Sequence, residues 1–347
     1  MTDEAKSIST SRRRILTGAA AGVAATVVGS AMGGRQASAQ AVSNAVSARR
    51  NLAQLGVSNI EMGIQNQSRT FSSLVPNRAD MVSLIREARD LGVTFFDCAE
   101  LHGPFLCLKI LGEAIAPFRN EVAITTKFGF DVDPDTGVFG GGVTSRPERT
   151  RLAGEDSLRR LRTDRIDLLS QHRVDPTVPI EDVAGTVRDL MDEGKVLHCR
   201  LSEMGPNTVR RAHAELPLTA VQCEQSMLYR ERETDILPVT VGLDIGSVPY
   251  APLDYGFLTE AVDMTTQFSP YDFRASTPRM GPENREHNLA LVEIVKRWAE
   301  AKSATPRRSA LAWLMAQRPD IVPIPGTTNL MHLRDNVGAT AVQFTRP

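Results

Sequence analysis

The sequence is poor in cysteine and in tyrosine, with four of each among its 347 residues. The cysteines show no C-x-x-C spacing, so the usual local pattern of a cysteine metal site is absent. Three of them, Cys98, Cys199 and Cys223, lie in or beside predicted strands, where a free thiol usually acts as a small apolar side chain. We therefore expect no disulfide framework.

The sequence also lacks an excess of charge of either sign. It contains 40 Lys and Arg residues against 41 Asp and Glu residues, a formal net charge of −1. A surface that binds nucleic acid needs clustered basic residues, and the balanced charge gives no sign of one. We expect a small-molecule partner and no nucleic acid.

No hydrophobic run is suited to a stable membrane anchor. The apolar stretch at residues 17–34 consists mostly of Ala, Gly and Val and is short for a membrane span. It follows S-R-R-R-I-L at residues 11–16, which matches the twin-arginine export pattern, and it precedes the small-residue cleavage site at residues 37–39. We predict a twin-arginine signal peptide at residues 1–39, export by the twin-arginine machinery, and a location in the periplasm or cell exterior.

After a linker at residues 40–48, strand patterns alternate with helical patterns. The strand candidates are residues 59–64, 93–97, 121–127, 166–171, 196–201, 219–224, 245–250 and 320–324. Such alternation predicts an α/β fold with a closed parallel sheet, a (β/α)8 TIM barrel, over residues 49–347. A barrel of roughly 250 to 300 residues accounts for this length without a second domain.

Helical periodicity is clearest at residues 180–191, where the apolar side chains fall on one face. A second apolar face is predicted late in the chain from Leu291, Ile294, Val295 and Trp298. The segment at residues 131–146 contains three consecutive glycines but lacks the lysine and Ser/Thr of a P-loop. We expect that segment to be a mobile loop over the barrel mouth.

Polar side chains follow three of the predicted strands. Asp97 and His102 come after the second strand candidate, Lys127 ends the third, and His172 follows the fourth. Active sites of parallel barrels lie at the carboxyl ends of the strands. We therefore predict that Asp97, His102, Lys127 and His172 meet in a proton-handling catalytic site.

These strand ends carry a resemblance to a known family. From about Leu52 to the C-terminus, the chain resembles the aldo-keto reductase superfamily through D-C-A-E-L-H-G at residues 97–103, K-F-G at residues 127–129 and Q-H-R-V-D-P at residues 171–176. The resemblance implies a short N-terminal β-hairpin near residues 49–56 that covers the barrel bottom. It also implies hydride transfer between a nicotinamide cofactor and a small carbonyl compound, alcohol or sugar.

The resemblance also implies roles for particular residues. The family's catalytic tetrad is Asp, Tyr, Lys and His, and His102 stands at the tyrosine position of this sequence. The implied cofactor is NADP or NAD, with NADP slightly preferred, although His332 replaces the arginine expected to hold the 2′-phosphate. Asp254 would place a negative charge near the pyrophosphate. The implied cofactor-binding residues are Ser202, Glu203, Gln222, Tyr250, Leu253, Gly326, Thr327, His332, Asp335 and Asn336.

His102 leaves two interpretations open. A neutral imidazole is a good base but a poor acid, so His102 would change the acid–base chemistry of an active oxidoreductase. Alternatively, the chain is a catalytically inactive barrel that binds a nucleotide or another small ligand. A metal site built from Asp97, His102 and His172 is a weaker third option, because no local ligand spacing supports it.

The export signal can be tested directly. Replacing Arg12 and Arg13 together with lysine should leave the chain unprocessed in the cytoplasm, because the export machinery reads the paired arginines. Arg35→Lys, which keeps the charge outside the motif, is the control and should be processed normally. Cell fractionation with intact mass measurement gives the outcome. Normal cleavage near Gln40 in the double variant would contradict the predicted signal.

Overall fold

The structure is a computed structural model that describes residues 48–68, 71 and 74–344. The predicted signal peptide and all of the linker except residue 48 lie outside the described residues. None of the helices in the described part is both long and apolar enough to cross a membrane.

Strands and helices alternate along most of the described chain. The strands are β1 Arg49–Leu52, β2 Leu55–Ser58, β3 Met62–Gly63, β4 Phe95–Asp97, β5 Ala123–Phe128, β6 Phe130–Val132, β7 Phe139–Val143, β8 Ile166–Gln171, β9 Val196–Ser202, β10 Leu218–Glu224 and β11 Gly246–Tyr250. The α-helices are α1 Gln65–Ser68, α2 Arg78–Asp90, α3 Leu106–Ile115, α4 Pro147–Leu161, α5 Ile180–Asp192, α6 Pro206–Glu215, α7 Leu237–Gly242, α8 Pro282–Ala301, α9 Pro306–Gln317 and α10 Leu330–Gly338.

A parallel sheet forms the inner wall of the fold. It contains β3, β4, β5, β8, β9, β10 and β11 as neighbours in chain order. Every residue of β8 is buried, which is typical of a parallel strand covered on both faces. The predicted α/β barrel is confirmed.

Residues 320–326 close this barrel between β11 and β3. Val322 and Ile324 donate their N–H groups to the carbonyls of Ser247 and Pro249, at 2.9 and 3.0 Å. On the other side, the carbonyls of Pro323 and Pro325 accept from residues 61 and 63, at 3.1 and 3.3 Å. Proline has no N–H to donate back to β3, so the predicted strand at 320–324 makes only isolated bridges. The first strand is correspondingly shorter than the predicted 59–64.

The antiparallel hairpin of β1 and β2 supplies part of the barrel core. Leu52 and Val57 are buried in one cluster with barrel side chains that include Phe95 and Leu168. Gly246, the first residue of β11, approaches the hairpin so closely that an added Cβ would overlap the Leu52 side chain. The predicted hairpin is therefore present and packs against the amino-terminal end of a barrel strand.

The outer helices bury one face each, with one departure from prediction. In α5, Ile180, Val183 and Val187 are buried as the periodicity predicts. In α8, however, Leu291 and Ile294 are 47% and 52% exposed, whereas neighbouring positions such as Val292 and Val295 are buried. Adjacent residues on a helix point about 100° apart, so a one-residue error moves the predicted face away from the barrel. Trp298 is also exposed, and only Val295 of the predicted face was correct.

The segment at residues 131–146 also differs from expectation. It forms the antiparallel hairpin of β6 and β7 and is not a loop without secondary structure. Phe130 at its base packs edge-on against His172, with ring centroids 4.8 Å apart. The hairpin therefore borders the carboxyl end of the barrel.

Gly246→Ala should destabilise the fold by about 1–3 kcal/mol, the usual cost of overpacking a core. The added methyl group would meet Leu52 on the hairpin, which has no space to accept it. Gly185→Ala in α5 is a matched control, since nothing lies within 4 Å of its added Cβ and alanine favours a helix by about 0.5–1 kcal/mol. Urea unfolding measures both. Equal stability of the two variants would show that the hairpin does not press on β11.

Candidate active site

A cavity of about 690 Å³ opens at the carboxyl ends of the barrel strands. Its size falls within the range of roughly 300–1,000 Å³ that is typical of small-molecule sites. The four predicted catalytic residues, Asp97, His102, Lys127 and His172, all line this cavity. The structure thus brings together residues that are up to 75 positions apart in the chain.

Asp97 and Lys127 form a buried ion pair at the cavity floor. Lys127 Nζ donates to Asp97 Oδ1 and, at 3.1 Å, to the backbone carbonyl of Cys98. Burial acts to raise the pKa of Asp97, but the charges of Lys127 and Arg200 outweigh it and lower that pKa below its usual value. Asp97 is therefore ionised, and Lys127 presents a positive charge to the cavity.

His172 lies half-buried at the cavity beside this pair. Burial and then the charge of Lys127 hold its pKa well below the ordinary value for histidine. Its ring also packs edge-on against His102, with centroids 5.7 Å apart. At neutral pH His172 is therefore uncharged and can donate or accept a hydrogen bond, but it cannot serve as an acid.

His102 is held at the cavity by the turn that follows β4. Its N–H donates to the carbonyl of Ala99 at 3.2 Å, and its carbonyl accepts from the N–H of Cys107 at 3.3 Å. The side chain is half-buried and lies at the cavity wall. Within the described residues, the Nδ1 atoms of His102 and His172 have no hydrogen-bond partner.

The metal alternative finds no support in the site geometry. Both carboxylate oxygens of Asp97 are engaged, one by Lys127 and the other by Arg200. Over residues 48–68, 71 and 74–344, no group of three His, Cys, Asp or Glu side chains is arranged to hold a metal ion.

Most of the predicted cofactor-binding residues lie along the same cavity. Those that line it are Ser202, Gln222, Tyr250, Leu253, Gly326, Thr327 and His332. They provide an aromatic ring, hydroxyl and amide groups, and a glycine on a closely approaching backbone, which is the chemistry that a bound nicotinamide nucleotide needs. The residues present therefore fit this cofactor.

Glu203, Asp335 and Asn336 lie outside the cavity lining. Glu203 accepts from the N–H of Glu224 at 2.7 Å and pairs with Arg232 at 3.3 Å. Asp335 pairs with Arg308 at 2.7 Å and with Arg307 at 3.5 Å. Asn336 is buried and accepts from Arg307 at 3.5 Å, so both residues contact an arginine that lines the cavity.

Asp254 does not place a free negative charge at the cavity. It is buried and forms an ion pair with Arg279 at 2.7 Å. Burial raises its pKa to about 6. The expected repulsion of a pyrophosphate is therefore largely offset by Arg279.

Tyr250, Tyr255 and Tyr271 also line the cavity. Tyr255 packs edge-on against Phe71 and Phe273, with centroids 6.0 and 4.9 Å apart. These contacts hold Tyr255 in an aromatic cluster that joins Phe71, which lies between α1 and α2, to the long segment before α8.

Three ionisable residues of the site were not predicted from the sequence. Arg200 lies fully buried within β9 and bonds to Asp97, and Glu61 lies fully buried before β3 and bonds to Arg200 at 3.4 Å. Arg307, in the first turn of α9, lines the cavity near His332. The available signals were an arginine inside an apolar strand and a basic residue in a first helical turn, where the helix dipole disfavours it.

Comparisons with known proteins agree with this arrangement. Residues 64–346 match the sequence profile of the Aldo/keto reductase family. "Probable aldo-keto reductase 1" of Glycine max is 40% identical over 274 residues, covering 77% of this chain and 76% of the relative. A glycerol dehydrogenase of Gluconobacter oxydans superposes with a TM-score of 0.76 at 26% identity, covering 85% of this chain and 90% of that chain.

A second solved structure supports the fold alone. A thermostable aldo-keto reductase in complex with the inhibitor epalrestat has a TM-score of 0.67 at 22% identity. The match covers 86% of this chain and 96% of that chain.

Proposed function

This chain belongs to the aldo/keto reductase family, and we propose that it is an NAD(P)-dependent oxidoreductase. It transfers a hydride between a nicotinamide cofactor and a small carbonyl compound, alcohol or sugar. The observation that carries the proposal is the convergence of the Asp97–Lys127 ion pair with His102 and His172 on one cavity. Similarity to a glycerol dehydrogenase supports an alcohol or polyol as one side of the reaction.

Each side chain that lines the cavity has a separate role in this reaction. A bound nicotinamide nucleotide supplies or accepts the hydride. Ser202 and Gln222 orient the nicotinamide, and Tyr250 packs against it. Neutral His172 donates a hydrogen bond to the substrate carbonyl, and the positive charge of Lys127 stabilises the oxygen as negative charge develops on it.

His102 handles the proton in this proposal. In reduction, the imidazolium of His102 gives its proton to the substrate oxygen as the hydride reaches the carbon, and the resulting neutral imidazole is reprotonated by solvent. In oxidation, neutral His102 takes the hydroxyl proton. His172 does not compete for this role, because its pKa, lowered by burial and then by the charge of Lys127, keeps it uncharged.

The pH dependence of the two directions tests this role. Reduction should increase as pH falls and oxidation should increase as pH rises, because the imidazolium of His102 is the acid and its neutral imidazole is the base. His102→Ala should lower both rates by about 10²–10⁴, the usual worth of a positioned acid or base. His102→Tyr, which restores the family residue, should raise reduction at neutral pH and flatten its acid dependence.

The measurement is a pH–rate profile for the three proteins with one aldehyde and its alcohol. Wild-type rates and profile in His102→Ala would exclude His102 as the acid and base. If all three proteins bind nucleotide and none converts any member of a broad carbonyl panel, the inactive binding-protein interpretation replaces this one.

We also propose that Arg307 gives the site a preference for NADP. Burial, followed by the nearby charge of Arg307, lowers the pKa of His332, so the histidine is neutral at physiological pH. Arg307, which is also paired with Asp335 at 3.5 Å, then supplies a positive charge at this end of the cavity. An arginine recognises a phosphate through charged hydrogen bonds, which are stronger than neutral ones.

Arg307→Met should weaken NADPH binding about 10- to 150-fold and leave NADH binding nearly unchanged, since a charged hydrogen bond contributes about 1.5–3 kcal/mol. His332→Arg should strengthen NADPH binding by a similar factor. Arg297→Met is the control, because Arg297 is exposed on α8 and does not line the cavity. Calorimetric titration measures all three. Equal losses for NADPH and NADH in Arg307→Met would show that Arg307 does not recognise the 2′-phosphate.

We propose, finally, that the protein works after export by the twin-arginine machinery, in the periplasm or at the cell exterior. The support is the arginine pair and cleavage site at its N-terminus.

A further inference from the structure

Arg200 is the largest fully buried side chain in the described part of the chain. Its guanidinium donates to Asp97 Oδ2, and the same nitrogen lies 3.2 Å from Gln222 Oε1. Gln222 lines the cavity at the proposed nicotinamide end. One side chain therefore separates a permanent positive charge from that part of the cavity.

Glu61 is the second carboxyl partner of Arg200, at the guanidinium nitrogen that does not bind Asp97. It is fully buried, and its Oε2 lies 3.4 Å from the Arg200 Nη1. The other groups that face it are Asp97 from β4, and Thr125 and Lys127 from β5. Within the described residues its Oε1 has no hydrogen-bond partner.

Glu61, Asp97, Lys127 and Arg200 form one charged cluster at the cavity floor. Asp97 is ionised, so its negative charge balances only one of the two cations. Burial raises the pKa of Glu61 to about 8, with Arg200 opposing and Asp97 reinforcing the shift. A carboxyl group with a raised pKa is neutral below that value, so the charged cluster carries one excess positive charge at pH 7 and none well above pH 8.

The two oxidation states of the cofactor differ by one positive charge on the nicotinamide ring. The oxidised ring is a cation, and the reduced ring is neutral. We propose that Glu61 and Arg200 set which state the site holds more tightly: while Glu61 is protonated, the charged cluster favours the reduced cofactor. This inference rests on the proposed nicotinamide-binding function.

The test is the ratio of the dissociation constants of NADP⁺ and NADPH, measured by calorimetry between pH 7 and pH 9.5. The two nucleotides carry the same phosphates, so titration of the 2′-phosphate cancels in the ratio. A unit charge within roughly 10 Å of the ring, at an effective dielectric constant of about 20, changes the ratio about tenfold. The wild-type ratio should therefore fall about tenfold as Glu61 ionises.

Two variants should fix the ratio at its two limits. Glu61→Gln keeps the shape and stays neutral, so its ratio should remain at the high wild-type value of pH 7 throughout. Arg200→Met removes the second cation and also the charge that opposes the raised pKa of Glu61, so Glu61 should stay neutral and the ratio should remain at the low wild-type value of pH 9.5. Arg119→Met is the control: Arg119 is paired with Asp167 at 2.6 Å, does not line the cavity, and its loss should leave the wild-type profile unchanged.

The outcomes separate this inference from the function on which it rests. If wild type and Glu61→Gln show the same pH trend, or if their ratio is flat, Glu61 does not control the cofactor's oxidation state. That result stands even if Arg200→Met fails to fold. If the wild type binds neither nucleotide at any pH, the proposed function fails and this inference fails with it.

Discussion

The site depends on one buried carboxylate held between two cations. Asp97 accepts from Lys127 on one oxygen and from Arg200 on the other, and all three side chains are buried. Removing one member of such a group leaves an uncompensated charge, which typically costs about 3–5 kcal/mol. The ion pairs therefore fix the relative positions of β4, β5 and β9, and through them the positions of the cavity floor and its proton-handling side chains.

The main outline of the fold and of the site could be predicted from sequence. Parallel strands of a closed barrel bring their carboxyl ends together, so Asp97, Lys127 and His172 had to be neighbours once the strands were recognised. The strand limits were less predictable. Residues 320–324 were predicted as a strand because most of them are apolar. Pro323, and Pro325 just beyond the predicted strand, cannot donate to β3, so this segment and β3 pair over a shorter length than predicted.

What sequence reasoning missed depends on pairings across the barrel. Arg200 stands out in an apolar strand, but its partners Glu61 and Asp97 are 139 and 103 residues away in sequence. A single charged position does not identify its partner among several strands. Arg307 was missed for a related reason, because only the packing of α9 beside α10 brings it to the cavity. The predicted buried face of α8 was wrong because a shift of one residue changes which side of a helix is buried.

The seam at residues 320–326 has a thermodynamic consequence. Its two prolines cannot donate to β3, and its last residues, Ile324, Pro325 and Gly326, line the nucleotide-sized cavity together with Thr327. Local opening is easiest where backbone bonding is sparse. A ligand that contacts these residues only in the closed barrel stabilises the closed barrel by mass action, so occupancy of the cavity and closure of the barrel rise together. The segment that completes the sheet should therefore be more ordered when the cavity holds a ligand.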